Sequence, residues 1–184
     1  MKQAAVFLDR DGVINHDRAY VSQVDDFEFI DGAIEAMKKL KQEGWLLVVV
    51  TNQAGIARGY FSEEQFLSLT EWMDWSLADR GVDLDGIYYC PHHSEYGDEH
   101  YRQDCSCRKP KPGMLLEAAA ELGIDLEKSW LVGDKASDIL AAKNAGVPNR
   151  LLVSGQYDVS EQDKALATAT ISSLDEAAKF ILRD

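Results

Sequence analysis

Short apolar runs alternate with amphipathic helical segments along most of this 184-residue chain. Such runs are long enough for a strand and too short for a buried helix. Strands that alternate with helices pair in parallel, because the chain must cross a face of the sheet between them. We therefore predict an α/β fold, a Rossmann-like three-layer sandwich with a central parallel sheet, in a single domain over 1–184. The predicted strands are 4–8, 46–50, 86–90, 130–132 and 150–153.

The intervening segments show the spacing of helices that bury one face. We expect Asp31 to cap the first helix, and Ser62 with Gln65 forms the pattern of a capping box. The predicted helices are 32–42, 62–80, 112–123 and 137–145, together with a last helix that Ser172 or Ser173 caps and that ends at 182.

The composition limits the partners of this chain. A formal net charge of −13 argues against a broad surface for nucleic acid phosphates. No apolar run reaches the length of a membrane span, and the N-terminus lacks the pattern of a signal peptide. Three cysteines, an odd number for a disulfide framework, indicate thiolate chemistry in a reducing compartment. We expect a cytoplasmic monomer that binds a small molecule, with no nucleic acid or membrane partner.

Carboxylates follow two of the predicted strands. Asp9 and Asp11 come directly after the first strand, and Asp134 follows the fourth. The first pair could be an ordinary polar turn, but crowded carboxylates favour a hard cation such as Mg²⁺. We predict that Asp9, Asp11 and Asp134 hold Mg²⁺. Asp138 either supports that site or favourably charges the first turn of a helix.

Polar and cationic residues lie at other strand and helix ends. The segment 51–53 offers a hydroxyl, amides and free backbone N–H groups, which suit a phosphate. The segment 108–112, Arg-Lys-Pro-Lys-Pro, concentrates cations in an acidic chain. A polar loop and a solvated basic turn are the alternatives. We predict that six residues contact a phosphorylated small molecule: Thr51, Asn52, Gln53, Arg108, Lys109 and Lys135.

All the cysteines lie within 90–107, in one Cys-x-His pair and one Cys-x-Cys pair. Thiolates with an imidazole suit tetrahedral Zn²⁺, and a closed set of four ligands indicates a structural site. Buried cysteines without a metal are the alternative, and His93 is a rival to His92 as ligand. We predict a zinc loop over about 90–109, with ligands Cys90, His92, Cys105 and Cys107.

In their order, these clusters resemble the motifs of the haloacid dehalogenase (HAD) superfamily of phosphotransferases, over residues 6–155. The superfamily's four motifs are matched in turn by Asp9-x-Asp11-Gly12, Thr51, Lys109 and Gly133-Asp134 with Asp138. The resemblance implies a Mg²⁺-dependent phosphatase. The interval between the first two motifs is too short for a helical cap domain, so it also implies a capless member whose zinc loop shapes the pocket rim.

The resemblance further implies roles for single residues. Asp9 is the nucleophile that forms an aspartyl-phosphate, and Asp11 is the acid that protonates the leaving oxygen and then the base that activates water. Thr51 and Lys109 stabilise the charge on the phosphoryl oxygens. The resemblance also assigns the backbone carbonyl of Arg10 to the Mg²⁺ site.

A zinc loop followed by Cys-Arg-Lys-Pro resembles two groups within the superfamily, phosphatases of a sugar bisphosphate and of histidinol phosphate. Lys135, where the second group carries Arg, favours the sugar bisphosphate. The resemblance places Asp17 and Tyr20 at the sugar end of the site. A zinc-stapled module that binds phosphosugars without hydrolysing them is the non-enzymatic alternative. A passive anion-binding module gains nothing from the carboxylates of Asp9 and Asp11, so we favour the enzyme.

Overall fold

In the computed structural model, which describes residues 1–155 and 157–183, six strands form one sheet in the order β3-β2-β1-β4-β5-β6. Every neighbouring pair runs parallel, which confirms the predicted fold class. The strands are β1 (Ala5–Leu8), β2 (Leu46–Asn52), β3 (Gly86–Cys90), β4 (Trp130–Gly133), β5 (Asn149–Val153) and β6 (Ala169–Ile171).

The helices are α1 (Ala33–Gln42), α2 (Glu63–Asp79), α3 (Gly113–Leu122), α4 (Ala136–Ala145), α5 (Glu161–Lys164) and α6 (Leu174–Leu182). The predicted capping box at the start of α2 is confirmed: Ser62 Oγ accepts from the Gln65 backbone N–H, and the Gln65 side chain accepts from the Ser62 N–H. The prediction of Asp31 as a cap is wrong. Gly32 occupies that position with φ of 84°, a left-handed conformation that glycine adopts without strain.

The sheet lies between two layers of helices because side chains alternate along each strand. In β1, Val6 and Leu8 join one core cluster, with α1, α2 and α6. Ala5 and Phe7 join the other, with α3 and α4. Both clusters are buried, so the apolar runs of the sequence become the interior of a three-layer sandwich.

The centre of the sheet positions the residues that follow its strands. The strand β1 lies between β2 and β4, so the carboxyl ends of these three strands meet at one edge. The backbone N–H of Asp9 donates to the Val132 carbonyl (3.1 Å), which ties the end of β1 to β4. A change in the direction of strand order at this point is where open α/β sheets bind ligands. Within the described residues, no helix is long and apolar enough to cross a membrane.

Candidate active site

Three buried carboxylates meet at this edge. Oxygens of Asp9, Asp134 and Asp138 lie within 4.8 Å of one another. Neither carboxylate oxygen of Asp134 receives a hydrogen bond. Burial, and then the charge of Asp9, raises the pKa of Asp134 to about 9, and burial with the charge of Asp138 raises that of Asp9 to about 6. Unpartnered, crowded oxygen ligands are the environment that a hard divalent cation requires, so the cluster fits Mg²⁺.

Lys109 is the cation that the protein itself supplies to this cluster. Its Nζ donates to Asp138 Oδ1 (2.6 Å), to the Val50 carbonyl (2.9 Å) and to Asp9 Oδ1 (3.0 Å). An ammonium group has three donors, so all of them are used. Burial acts to lower the pKa of Lys109, but the charges of Asp138 and Asp9 raise it overall. Lys109 is therefore a fixed positive charge beside Asp9.

Asp138 both supports the acid cluster and lies in the first turn of a helix, the two roles between which the sequence did not decide. Its Oδ1 accepts from Lys109, while its Oδ2 accepts from the backbone N–H groups of Asp134 (3.2 Å) and Lys135 (3.1 Å) at the start of α4. A Cβ added at Gly133 would lie 2.3 Å from the Asp138 Cβ, so this packing requires glycine. Asp138 thus fixes the turn that carries Asp134 and also orients Lys109.

Asp11 is not one of the three carboxylates whose oxygens lie within 4.8 Å of one another, and its role as a Mg²⁺ ligand stays a prediction. Its side chain accepts from the Arg10 guanidinium (2.8 and 3.1 Å), from Asn15 Nδ2 (3.0 Å) and from Gln53 Nε2 (3.3 Å). The same side chain lines the central cavity. These donors hold the Asp11 carboxylate where it can face a ligand, separate from the oxygens around Asp134.

Arg10 is almost fully buried, which its place between two aspartates did not indicate. Its guanidinium lies over the rings of Phe27 (5.7 Å) and Phe66 (5.8 Å) and donates to the Val21 carbonyl (3.1 Å). The Arg10 carbonyl accepts three backbone N–H groups in a turn, the shortest bond coming from Ile14 (2.8 Å). The Arg10 carbonyl thus already has partners within the protein, and its assignment to the Mg²⁺ site stays a prediction.

The end of β2 is tied to both Asp11 and Lys109. Thr51 is buried, and its Oγ1 accepts from Gln53 Nε2 (3.0 Å), the amide that also donates to Asp11. Asn52 Oδ1 accepts from the Lys109 backbone N–H (3.0 Å), and Asn52 Nδ2 donates to the Lys109 carbonyl (3.2 Å). We predicted Asn52 and Gln53 as substrate contacts. Both line the cavity, and both also position the residues around them.

A cavity of about 450 Å³ is lined by Lys109, which also contacts the Asp9 and Asp138 carboxylates of the acid cluster. This volume is in the range of small-molecule sites. The lining residues that were not predicted as site residues include Arg58, His93 and Tyr157. The predicted residues that line it are Asp11, Asp17, Tyr20, Asn52, Gln53, Arg108, Lys109 and Lys135.

One wall of this cavity is formed around Tyr157. Its hydroxyl donates to the Asp17 carboxylate, and the Lys135 ammonium lies 4.6 Å from the centre of its ring. Burial, together with the Asp17 hydrogen bond, raises the pKa of Tyr157, so its hydroxyl stays protonated. No periodic pattern marks the loop after β5, and the sequence therefore gave no sign that it returns to Asp17.

The four predicted zinc ligands lie together, with Cys90 at the end of β3 and the other three in the loop that follows it. The Cys90 sulfur lies 3.4 Å from that of Cys105 and 2.8 Å from that of Cys107, too far for a disulfide of about 2.05 Å. His92 Nδ1 is 3.5 Å from the Cys107 sulfur, whereas His93 lies outside the group. The contact with Cys90 lowers the pKa of Cys107 to about 5. A thiolate among thiols and an imidazole is the donor set that Zn²⁺ prefers.

Comparison with known proteins agrees with this geometry. Residues 106–177 match a family model described as HAD-hydrolase-like. The D-glycero-beta-D-manno-heptose-1,7-bisphosphate 7-phosphatase of Pasteurella multocida is 60% identical over 177 residues, which is 96% of each chain. The enzyme of the same name from Escherichia coli K12 is 55% identical and is covered to 93%. This chain belongs to that family. Residues 51–59, 87–93 and 108–114 carry the resemblance to heptose enzymes in the sequence.

Solved structures of HAD phosphatases share the fold. The D,D-heptose 1,7-bisphosphate phosphatase of B. bronchiseptica, complexed with magnesium and phosphate, superposes with a TM-score of 0.82. It is 32% identical and covers 98% of both chains. A HAD-like phosphatase of Mesorhizobium loti gives a TM-score of 0.83 at 35% identity, over 100% of this chain and 89% of its own. The heptose family, rather than the histidinol phosphate group, is therefore confirmed.

Proposed function

We propose that this protein hydrolyses the 7-phosphate of D-glycero-D-manno-heptose 1,7-bisphosphate, with Mg²⁺, through an aspartyl-phosphate on Asp9. The observation that carries the proposal is the buried group of Asp9, Asp134 and Lys109 at the central edge of the sheet, in which Lys109 also lines the cavity. In its family, this reaction belongs to the cytoplasmic synthesis of nucleotide-activated heptose for the lipopolysaccharide core.

The residues divide the first step between them. The Asp9 carboxylate attacks phosphorus, and the bond from phosphorus to the C7 oxygen breaks. Asp11, as the general acid of this step, gives a proton to the departing oxygen, and Asn15 and Gln53 keep its carboxyl in place. Lys109 both orients Asp9 and neutralises charge on the phosphoryl oxygens, and the Thr51 hydroxyl donates to them.

The second step restores the enzyme. Asp11, now ionised, takes a proton from a water molecule that attacks the phosphorus of the aspartyl-phosphate, and the bond to the Asp9 oxygen breaks. Inorganic phosphate leaves, and Asp9 is again a carboxylate. When bound to Asp9 and Asp134, Mg²⁺ supplies charge neutralisation between the nucleophile and the phosphate. Asp138 acts through Lys109 and through the turn that carries Asp134.

Zinc completes the proposal as a structural ion held by Cys90, His92, Cys105 and Cys107. Its support is the crowding of three sulfurs and one imidazole nitrogen in a loop with little apolar content. A cation at their centre removes the repulsion between thiolates and closes the loop. The loop ends at Arg108, which lines the cavity, so its closure also positions a substrate contact.

A substrate panel tests the proposal. Phosphate release is measured with and without Mg²⁺ from the α and β anomers of heptose 1,7-bisphosphate, from fructose bisphosphate and from histidinol phosphate. The proposal predicts the highest kcat/KM, dependent on Mg²⁺, for one heptose anomer. Preference for histidinol phosphate would reassign the substrate. Binding of heptose bisphosphate with no phosphate release would support the non-catalytic module instead.

A further inference from the structure

Tyr157, in the loop after β5, has no part in the steps above. It is 42% exposed and lines both the central cavity and a second one of about 310 Å³, which residues 152–155 also line. It belongs to none of the hydrophobic clusters of the described residues, so apolar packing does little to fix its ring. Its position depends on two polar contacts, the hydrogen bond to the Asp17 carboxylate and the Lys135 ammonium 4.6 Å from its ring centre.

Asp17, which accepts the Tyr157 hydroxyl, begins a strained turn. Ala19 and Tyr20 both have φ of 58°, a left-handed conformation that residues other than glycine rarely adopt. Asp17 Oδ1 accepts from the Ala19 backbone N–H (3.0 Å), and Asp17 Oδ2 accepts from the Tyr157 hydroxyl. The Asp17 carboxylate thus joins the strained turn to a loop that is 140 residues away in the sequence.

The Tyr20 side chain of this turn is fixed by another part of the protein. Its ring centre lies 4.6 Å from that of Tyr60, and a Cβ added at Gly55 would lie 2.9 Å from Tyr20 Cδ1. Backbone strain persists only where the surrounding contacts fix it, and it is concentrated at ligand sites. Asp17 and Tyr20 both line the cavity, so the contacts that fix the turn also fix part of the cavity wall.

The chemistry of this wall suits the sugar rather than the phosphates. A carboxylate repels phosphate oxygens, so Asp17 favours the uncharged, hydroxyl-bearing part of a phosphorylated ligand. The Tyr157 hydroxyl gives its one proton to Asp17, which leaves the phenolic oxygen as an acceptor for a sugar hydroxyl. Lys135, at the face of the same ring, supplies a donor. Acceptors fixed in this way discriminate against a ligand that lacks the matching hydroxyl group.

We propose that Tyr157 is a positioning residue that makes the cavity selective for the sugar, because it fixes Asp17 and Lys135 where they bind the hydroxyl groups of the heptose. This inference rests on the proposed function. Since the position of Tyr157 depends on its hydroxyl, removal of that one oxygen should release Asp17 and the turn. The groups around Asp9 should keep their places.

The test compares Mg²⁺-dependent phosphate release from heptose 1,7-bisphosphate and from p-nitrophenyl phosphate, which has no sugar hydroxyls. Tyr157→Phe should lower kcat/KM for the bisphosphate about tenfold to a hundredfold, mainly through KM, and leave that for p-nitrophenyl phosphate about unchanged. Tyr88→Phe is the matched control, because the Tyr88 hydroxyl also donates to a carboxylate, that of Glu121, but Tyr88 does not line the cavity. It should leave both values as in the wild type.

A second variant and a stability measurement distinguish positioning from support of the fold. Tyr157→Leu removes the ring as well as the hydroxyl, so Lys135 also loses its contact, and the loss on the bisphosphate should exceed that of Tyr157→Phe. The melting temperature of Tyr157→Phe should match that of Tyr88→Phe, because Tyr157 is half exposed. Equal losses on both substrates in the two Tyr157 variants would overturn the inference, since they would assign Tyr157 a structural role only.

The wild-type protein separates failure of this inference from failure of the proposed function. Hydrolysis of heptose bisphosphate that is equally efficient in the wild type and in Tyr157→Phe would leave the proposed reaction intact and overturn the role of Tyr157. Release of phosphate from p-nitrophenyl phosphate but not from heptose bisphosphate, by the folded wild-type protein, would overturn both.

Discussion

Asp138→Asn tests whether Asp138 supports the active site or only charges the start of α4. The substitution keeps the shape of the side chain and removes its charge. The Asn oxygen can still accept from the backbone N–H groups of Asp134 and Lys135. The amide nitrogen then faces the Lys109 ammonium, and because both groups are donors no hydrogen bond forms between them. The buried ion pair at 2.6 Å is lost.

The expected loss of stability depends on the hydrogen-bond partners that Lys109 retains in Asp138→Asn. Removing one partner of a buried ion pair costs about 3–5 kcal/mol. Lys109 retains Asp9 and the Val50 carbonyl, so we expect a loss near the lower end, about 3 kcal/mol of the free energy of unfolding. Phosphate release should fall at the same time, because Lys109 no longer has one fixed position beside Asp9.

Urea unfolding followed by circular dichroism measures this loss, with an unchanged m-value as the sign that only stability has changed. Glu176→Gln is the matched control. Glu176 occupies the equivalent position of α6 and accepts from the Ser172 backbone N–H (2.6 Å), but it is exposed and contacts no buried lysine. A loss in Asp138→Asn no larger than in Glu176→Gln would refute the reasoning, since it would reduce Asp138 to a helix-capping residue.

Two further predictions concern the metal sites. Without metal, the raised pKa values of Asp9 (about 6) and Asp134 (about 9) mean that the folded state binds protons more tightly than the unfolded state, so stability falls as the pH rises from about 4 to about 9. Added Mg²⁺ should therefore raise the melting temperature more at pH 9 than at pH 6, and an equal rise would contradict the proposed site. Chelation of zinc should lower the melting temperature and expose the cysteine thiols to a thiol reagent; unchanged melting and activity would contradict the zinc loop.

The sequence predicted the features that depend on local patterns. Five of the strands and the parallel sheet follow from apolar runs separated by helices, and the position of Asp9 and Asp134 at strand ends follows from the sheet. The strand β6 and the helix α5 were missed, because elements of three and four residues are too short to show a period. The end of each predicted strand was placed within two residues of the observed end.

Contacts between distant loops could not be predicted in this way. Asn52 holds the backbone of Lys109, 57 residues away, and Tyr157 reaches Asp17 across 140 residues. Neither pair lies in a periodic element, and each polar side chain has many partners that its chemistry would allow. Arg10 shows the same limit: the residues beside it in the sequence do not indicate that two aromatic rings and Asp11 make its burial favourable.

The central claim is that Asp9 receives the phosphoryl group, and phosphate release by Asp9→Asn tests it most directly. The variant keeps a side chain that Lys109 and the surrounding fold can accommodate, so circular dichroism should report a folded protein. Acid-quenched wild-type enzyme should carry a phosphoryl group on the peptide that contains Asp9, and Asp9→Asn should carry none and release no phosphate from heptose bisphosphate. Turnover by the folded variant at a rate near that of the wild type would contradict the account.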